Sequence, residues 1–372
     1  MKIQVVKQRR TASFAALALA GLLIWQAPTE AAAPQSSVSV KDYGAVPNGK
    51  TDSLAAFQKA IAAAKTRGGS VYVPPGNYAL SGRLFVDGVG ITGAGQNLSI
   101  LTSTDPANGS IDLKGSNVSL KDLTHVYKNT AARDGSDAKN SITVLGASNF
   151  SIRNVRVVGA GTAGILVRDE AKDGVISDNV IKNTKADGIH ITDGSSRITI
   201  ENNTVKQTGD DTIAVVSYKK DPVVTSDVVI RGNSVGYASG ARGISVVGGS
   251  GVKIEKNTIN NTEMAGIYIA VEAAWKTRDV NDVNVSGNTI VKTGTRPTND
   301  HPNVLVFADT GSIDEIRFDR NVITDSTNAG IGVWGDGKIG KIYFTFNQVK
   351  NPGHDATNFK KGDITSEGNS GF

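Results

Sequence analysis

From about residue 80 one pattern of apolar and polar positions recurs along this chain: an apolar strand, an Asn, a β-branched pair, a Thr, a Gly-Ile step and another strand. The Asn residues fall at 154, 179, 203, 233, 257, 288, 321 and 347, at intervals of 24 to 33. A period in that range, rich in β-branched residues, Gly and Asn, marks one structural unit per repeat. If the units stack, equivalent residues lie about 4.8 Å apart. A stacked Asn at a fixed turn reads as an internal amide ladder, because only the coils above and below can satisfy that backbone. The Asn residues follow the repeat too regularly to be read as glycosylation acceptors. The longest intervals hold inserted loops, residues 218–222 and 275–278 among them, and insertions on one face often build a binding cleft.

Ahead of the repeats, residues 37–80 read as an alternating strand, a turn at 47–49, a helix capped by Thr51 or Asp52, and a further strand at 70–73. Leu54, Phe57, Ile61 and Ala64 share one face of that helix, and Gly68-Gly69 ends it. Such a helix would cover the open hydrophobic end of a stack of coils and hide its strand edge. The segment contains Asp42-Tyr43-Gly44-Ala45, Gly49-Lys50-Thr51-Asp52, Ala56-Phe57 followed by Ala60-Ile61, and Gly69-Ser70-Val71-Tyr72-Val73-Pro74-Pro75-Gly76-Asn77-Tyr78. These motifs resemble the opening segment of the pectate-lyase-like β-helix superfamily. The resemblance implies an all-β chain: a right-handed, single-stranded parallel β-helix with an N-terminal capping α-helix. The expected divisions are 1–33 as an export signal, 34–80 as the cap, 81–350 as the coils and 351–372 as a loose polar tail.

The signal rests on Lys2, Lys7, Arg9 and Arg10, then a 15-residue uncharged run at 11–25, then Ala31-Ala32-Ala33. That run is too short for a comfortable membrane span. Without residues 1–33 the chain keeps 40 − 4 = 36 basic and 35 − 1 = 34 acidic residues, a net charge of +2. No basic stripe points to nucleic acid. With no cysteine, neither a disulfide framework nor a thiolate metal site is available. A secreted monomer, free of the membrane after signal removal, is expected.

Chemistry concentrates in the middle coils. Asp187-Gly188-Ile189-His190 and Asp210-Asp211-Thr212-Ile213 repeat one phrase, with 211 − 187 = 24 residues between equivalent positions. Aligned on the Gly-Ile step, the preceding residues run Ala163, Asp187, Asp211, Arg242, Ala265 and Ala329. The second residue of each strand runs Leu166, His190, Ala214, Ser245, Tyr268 and Gly332 and should point outward. Three adjacent middle coils carry the ionisable groups, and the outermost coils carry Ala and Gly. Stacked carboxylates repel, so one should stay protonated beside an ionised partner, the pair that glycoside hydrolysis requires. The candidate catalytic residues are therefore Asp187, Asp210 and Asp211. His190, Arg242, Tyr268, Tyr218, Glu272 and Trp275 are candidate substrate-binding residues. Trp334 is expected to pack, and His125, His301 and His354 lie outside the aligned positions.

These residues are similar to motifs of the polygalacturonases. Asn183-Thr184 with Asp187-Gly188 resembles their N-T-D-G motif, and Gly209-Asp210-Asp211 with Ile213-Ala214-Val215 resembles G-D-D-x-I-A-I. The resemblance implies three catalytic Asp, one as acid and two holding a water for inversion, on a uronate-containing polysaccharide. The motif set is degenerate: Arg242 stands at the family's His, and Tyr268-Ile269-Ala270 at its R-I-K triplet. Those departures open a second reading, a uronate lyase or epimerase. There Arg242 or a bound Ca²⁺ would neutralise the uronate carboxylate, and His190 or Tyr268 would move protons. If a metal is needed, Asp187, Asp210 and Asp211 would hold Ca²⁺ through oxygen; otherwise no cofactor is expected. A non-catalytic glycan-binding protein is the third reading.

Overall fold

The computed structural model describes residues 37–372. The expected export signal, 1–33, and the first three residues of the expected cap lie outside the described residues.

The chain winds as a right-handed parallel β-helix whose strands form three columns, and every pairing between named strands is parallel. The column that carries the site runs from Leu84–Asp87 through Ile165–Arg168, Ile189–Ile191, Ile213–Val216, Ile244–Val247, Ile267–Val271, Val304–Ala308 and Ile331–Trp334 to Thr357–Phe359. Its register puts Leu166, His190, Ala214, Ser245 and Tyr268 in one line, as expected, and then Leu305 and Gly332. The Val304–Ala308 rung escaped the Gly-Ile alignment because Asn303-Val304 stands where other coils have Gly-Ile. The Asn303 amide is used locally: its Oδ1 accepts the Thr293 hydroxyl at 2.6 Å.

The inward residues of each strand stack as columns of Ile and Val that are wholly buried, such as Ile165, Ile189, Ile213, Ile244 and Ile267. Each contributes about 1.5–3 kcal/mol by leaving water. Between the other two columns lies the Asn turn. A residue in the left-handed region, with φ of 52–64° at Asp178, Asn202, Gly232, Lys256, Gly287, Arg320, Phe346 and Gly368, precedes each ladder Asn. Asn257 shows the pattern. Its backbone N–H and Nδ2 both donate to Asn288 Oδ1 at 2.9 Å, and Nδ2 also donates to the Ile230 carbonyl at 2.9 Å. The ladder joins Asn179, Asn203, Asn233, Asn257, Asn288, Asn321, Asn347 and Asn369.

Two expectations are corrected here. Asn154 is not a rung: it sits at the left-handed position itself, with φ 51°, and Val155 occupies the ladder place, donating its N–H to Asn179 Oδ1 at 2.9 Å. The segment 351–372 is not a loose tail. Thr357–Phe359 and Asp363–Glu367 pair with the preceding coil, and Asn369 closes the ladder. Its polar composition reflects an end coil with one neighbour, while the repeat itself continues.

Helix Leu54–Arg67 buries Ala56, Phe57, Ala60, Ile61 and Ala64 against the first strands. Asp52 Oδ1 accepts the Leu54 N–H at 3.1 Å, and Gly68, at φ 64°, ends the helix. Strands Ser70–Val73 and Gly76–Leu80 already pair with the coil above, so the cap passes into the solenoid before residue 80. Among the described residues no helix is long and apolar enough to cross a membrane.

Candidate active site

The site grows from the turn that enters the Ile189–Ile191 and Ile213–Val216 strands. Thr184 Oγ1 donates to the Ala186 carbonyl at 2.8 Å, and Thr208 Oγ1 donates to the Asp210 carbonyl at 2.7 Å. Each hydroxyl closes a two-residue turn and fixes the residue that follows, Asp187 or Asp211. Gly188 must follow Asp187 because the coils close in there: a Cβ would lie 2.2 Å from Val205 Cγ1 and 2.5 Å from the Thr212 carbonyl oxygen.

Asp187 and Asp211 therefore occupy matched places on adjacent coils, and they are bonded alike. Asp187 Oδ1 accepts the Asp211 N–H at 3.0 Å, and Asp211 Oδ1 accepts the Arg242 N–H at 3.0 Å. The second oxygens face chemistry. Asp187 Oδ2 lies 2.5 Å from His190 Nδ1, and Asp211 Oδ2 accepts the Ser245 hydroxyl at 2.6 Å. Asp210 turns outward and meets Arg133 Nη1 at 2.7 Å. One oxygen of each of the three carboxylates falls within 4.8 Å of the others. The side chains of Asp187 and Asp211 are 11% and 7% exposed, that of Asp210 27%.

Burial pushes the Asp211 carboxyl up to about 6; Arg242 opposes the rise, and the charges of Asp187 and Asp210 add to it. Asp211 thus holds a proton for the cluster to higher pH than a free carboxyl would. Tyr218, pushed up to about 12 by burial and then by the neighbouring acids, keeps its hydroxyl proton.

Two adjoining hollows share Arg133, Asp187, His190 and Tyr218. The larger, about 430 Å³, continues past Leu166, Arg168, Asp193 and Lys220. The smaller, about 140 Å³, holds Asp210, Asp211, Arg242, Glu272 and Trp275. The structure thus brings together eight of the nine residues singled out from the sequence: Asp187, Asp210, Asp211, His190, Arg242, Tyr218, Glu272 and Trp275. Trp275 stands 67% exposed at the rim.

Tyr268 is the correction. It is 2% exposed and lines neither hollow. Its ring lies under the Arg242 guanidinium at 4.4 Å, its hydroxyl donates to Glu272 Oε1 at 3.0 Å, and His301 stacks on it at 5.7 Å. Tyr268 supports Arg242 from below, because the loop carrying His301 covers the outward face of its strand. Burial pushes the His301 imidazole down to about 4, with Arg242 acting the same way. Arg242 itself is held charged: burial works against it, but Asp211 and Glu272 raise it. Its Nη2 meets Glu272 Oε1 at 3.2 Å, and its Nη1 lies 3.7 Å from Asp211 Oδ1.

Two site residues escaped the sequence reading. Ser245 stands in the outward line but carries no charge to flag it. Arg133 belongs to the loop before the Ile142–Ala160 strand, where no repeat marks it. Lys139 Nζ steadies its flanks by bonding the Ala132 carbonyl at 3.1 Å and Asp134 Oδ2 at 2.6 Å.

Comparison with known proteins agrees with this architecture. A mannuronan C-5 epimerase A-module from Azotobacter vinelandii superposes with a TM-score of 0.65 at 20% identity, covering 88% of this chain and 99% of that one. The catalytic unit of a GH87 α-1,3-glucanase from Streptomyces thermodiastaticus gives 0.70 at 23%, covering 93% and 71%. The surface protein and adhesin PfbA of Streptococcus pneumoniae gives 0.70 at 16%, covering 90% and 97%. Identities this low speak for the fold. In sequence, 145 residues are 32% identical to the pre-neck appendage protein of Bacillus phage B103, a match over 35% of this chain and only 16% of that protein's length. Residues 37–295, which contain the whole Asp cluster, match the family described as rhamnogalacturonase A/epimerase, pectate lyase-like, and the chain belongs to that family.

Proposed function

We propose that this is an exported glycoside hydrolase that cuts a polysaccharide at the Asp187–Asp210–Asp211 cluster. The observation that carries the reading is the geometry of the cluster. Two carboxylates occupy matched, backbone-bonded positions on adjacent coils, a third stands beside them, and all three open into one groove. Two GH87 α-1,3-glucanase structures that hold oligosaccharides carry single Asp→Ala changes 24 positions apart, the spacing of Asp187 and Asp211 here.

Asp210 delivers the proton. It is the most exposed of the three, while both Asp211 oxygens already accept donors from Ser245 and Arg242. Asp187 and Asp211 hold the water that attacks the anomeric carbon. A sugar entering between Asp210 and Arg133 parts that ion pair and frees Asp210 to take the cluster's proton. Asp210 then passes it to the glycosidic oxygen as the C–O bond breaks, and the attacking water loses its own proton to Asp187 or Asp211.

The charge of the groove favours a neutral glycan over the uronate first expected. The two hollows are lined by seven acids, Asp137, Asp187, Asp193, Asp221, Asp210, Asp211 and Glu272, against four cations, Arg133, Arg168, Lys220 and Arg242. Three of those cations are already paired: Arg133 with Asp210, Arg168 with Asp137 and Asp193, Arg242 with Glu272. Lys220 lies over the Tyr218 ring at 5.3 Å. A polyuronate would meet net negative charge. The lyase or epimerase reading has less support, since Tyr218 holds its proton, Tyr268 is buried and His190 is engaged by Asp187. The Asp cluster offers the hard oxygen donors that Ca²⁺ takes, but Arg133, His190 and Ser245 already use those oxygens.

The test is digestion of neutral and acidic polysaccharides, with reducing ends and unsaturated-uronate absorbance followed together. Reducing ends from a neutral glycan without absorbance are expected; absorbance from a uronate would overturn the assignment.

A further inference from the structure

Beyond the groove, the column of site-bearing strands carries a second built surface, outside the residues that match the family. Strand Ile331–Trp334 pairs with Val304–Ala308 so that Trp334 sits beside Phe307. Both are half-buried and rest on the outward apolar patch of Ala270 and Leu305. The indole lies close over Gly332: a Cβ on that residue would come within 2.0 Å of Trp334 Cζ3. The glycine is there for space, and the ring it admits lies along the coil. Lys360 Nζ stands 5.4 Å from the indole centroid.

Around this floor is a hollow of about 420 Å³ whose rim carries Asp309, Asp336, Lys360 and Lys361. The rim is fixed. Lys361 Nζ donates to the Asp336 carbonyl at 3.0 Å. Asp309 Oδ2 accepts the Ala273 N–H at 3.0 Å, which ties the rim to the loop that bears Glu272 and Trp275.

We propose that the hollow floored by Phe307 and Trp334 is a second saccharide-binding site, at which a pyranose of a polysaccharide chain stacks on the indole. The chemistry matches on both sides. A pyranose has an apolar C–H face and a rim of hydroxyls; the hollow has an apolar aromatic floor and a rim of two acids and two cations that can bond hydroxyls. An apolar partner surface would have to bury four charged groups to reach the ring. The size falls within the range of small-ligand sites, ~300–1,000 Å³. Trp334 lies four coils from Val216 on the Asp211 strand, ~19 Å at one strand spacing per coil. The second site would therefore hold a distant part of the polymer, or a neighbouring chain, while the cluster acts. The inference takes from the proposed function only that the ligand is a saccharide.

Native gels cast with carboxymethyl α-1,3-glucan, dextran, laminarin, alginate or polygalacturonate test it. The full chain should be retarded by at least one of them, and Trp334→Ala should weaken that retardation about tenfold, the loss of one stacking contact. Gly332→Ala, which pushes the ring off the coil, should weaken it in the same direction. If Trp334→Ala lowers the melting temperature, Lys360→Gln decides in its place. Undiminished retardation of these variants, or no retardation of the wild type by any of the five, overturns the second site. A protein that is retarded through Trp334 but cuts none of the polymers would refute hydrolysis and leave the second site standing.

Discussion

Asp187 has two duties in the structure, and a pair of substitutions separates them. Its Oδ1 accepts the Asp211 N–H at 3.0 Å, which is a structural bond; its Oδ2 faces His190 in the groove. Asp187→Asn keeps a carbonyl oxygen for the Asp211 N–H, and its new amide can donate to His190 Nδ1 when that imidazole carries its proton on Nε2. The cost to the fold should stay below about 1 kcal/mol. The charge is lost, and with it the positioning of the attacking water. A general base contributes ~10²–10⁴-fold, about 3–5 kcal/mol of barrier at 1.36 kcal/mol per decade. Asp187→Ala removes the same charge and also leaves the buried Asp211 N–H without an acceptor, a further cost of about 1–3 kcal/mol in stability. The assay is kcat from reducing ends together with the thermal midpoint for each variant. The account predicts equal, near-complete loss of turnover in both, with a lowered midpoint only in Asp187→Ala. If Asp187→Asn kept more than about a tenth of wild-type kcat, below the loss expected of a general base, Asp187 would be a turn residue and the mechanism would fail.

The remaining predictions follow from the same contacts. Turnover should decline as pH rises through about 6, because the cluster's proton, seen in the raised Asp211 carboxyl, is the one the leaving oxygen needs; a pH profile of kcat/KM reads it. Arg133→Ala removes the cation that meets Asp210, so kcat should fall through lost placement of that carboxylate while the thermal midpoint changes little, as expected of a pair this exposed; kcat and melting curves read it. Asn257→Ala strips acceptors from Asn233 and a donor from the Ile230 carbonyl. At about 1–3 kcal/mol per orphaned group it should cost several kcal/mol in denaturant unfolding. A chelator should leave turnover unchanged, and its loss on chelation would return Ca²⁺ to the cluster.

The stacking of coils was legible because the solenoid repeats its constraints. Each Asn turn must satisfy the same backbone groups, and most coils in the site column place Gly before Ile. Asn154 has the residue type but sits one place early, at the left-handed position, which a list of Asn residues cannot separate from the rung. Asn303-Val304 hides a coil because it lacks the Gly-Ile step. The last coil reads as a tail because its surface is polar, although Gly368-Asn369 repeats the Gly287-Asn288 signal. Within the site, residues on the repeat, Asp187, Asp211, His190 and Arg242, could be aligned by position. Arg133 comes from an irregular loop, and the burial of Tyr268 depends on where another loop places His301. Neither follows from spacing.

The most direct test of the central claim is the product made by the wild-type chain and by Asp210→Asn from neutral polysaccharides and from polygalacturonate. Reducing ends from a neutral glycan, without unsaturated-uronate absorbance and lost in Asp210→Asn, are what the account predicts. Unsaturated uronate from the wild type, or reducing ends undiminished in Asp210→Asn, would contradict it.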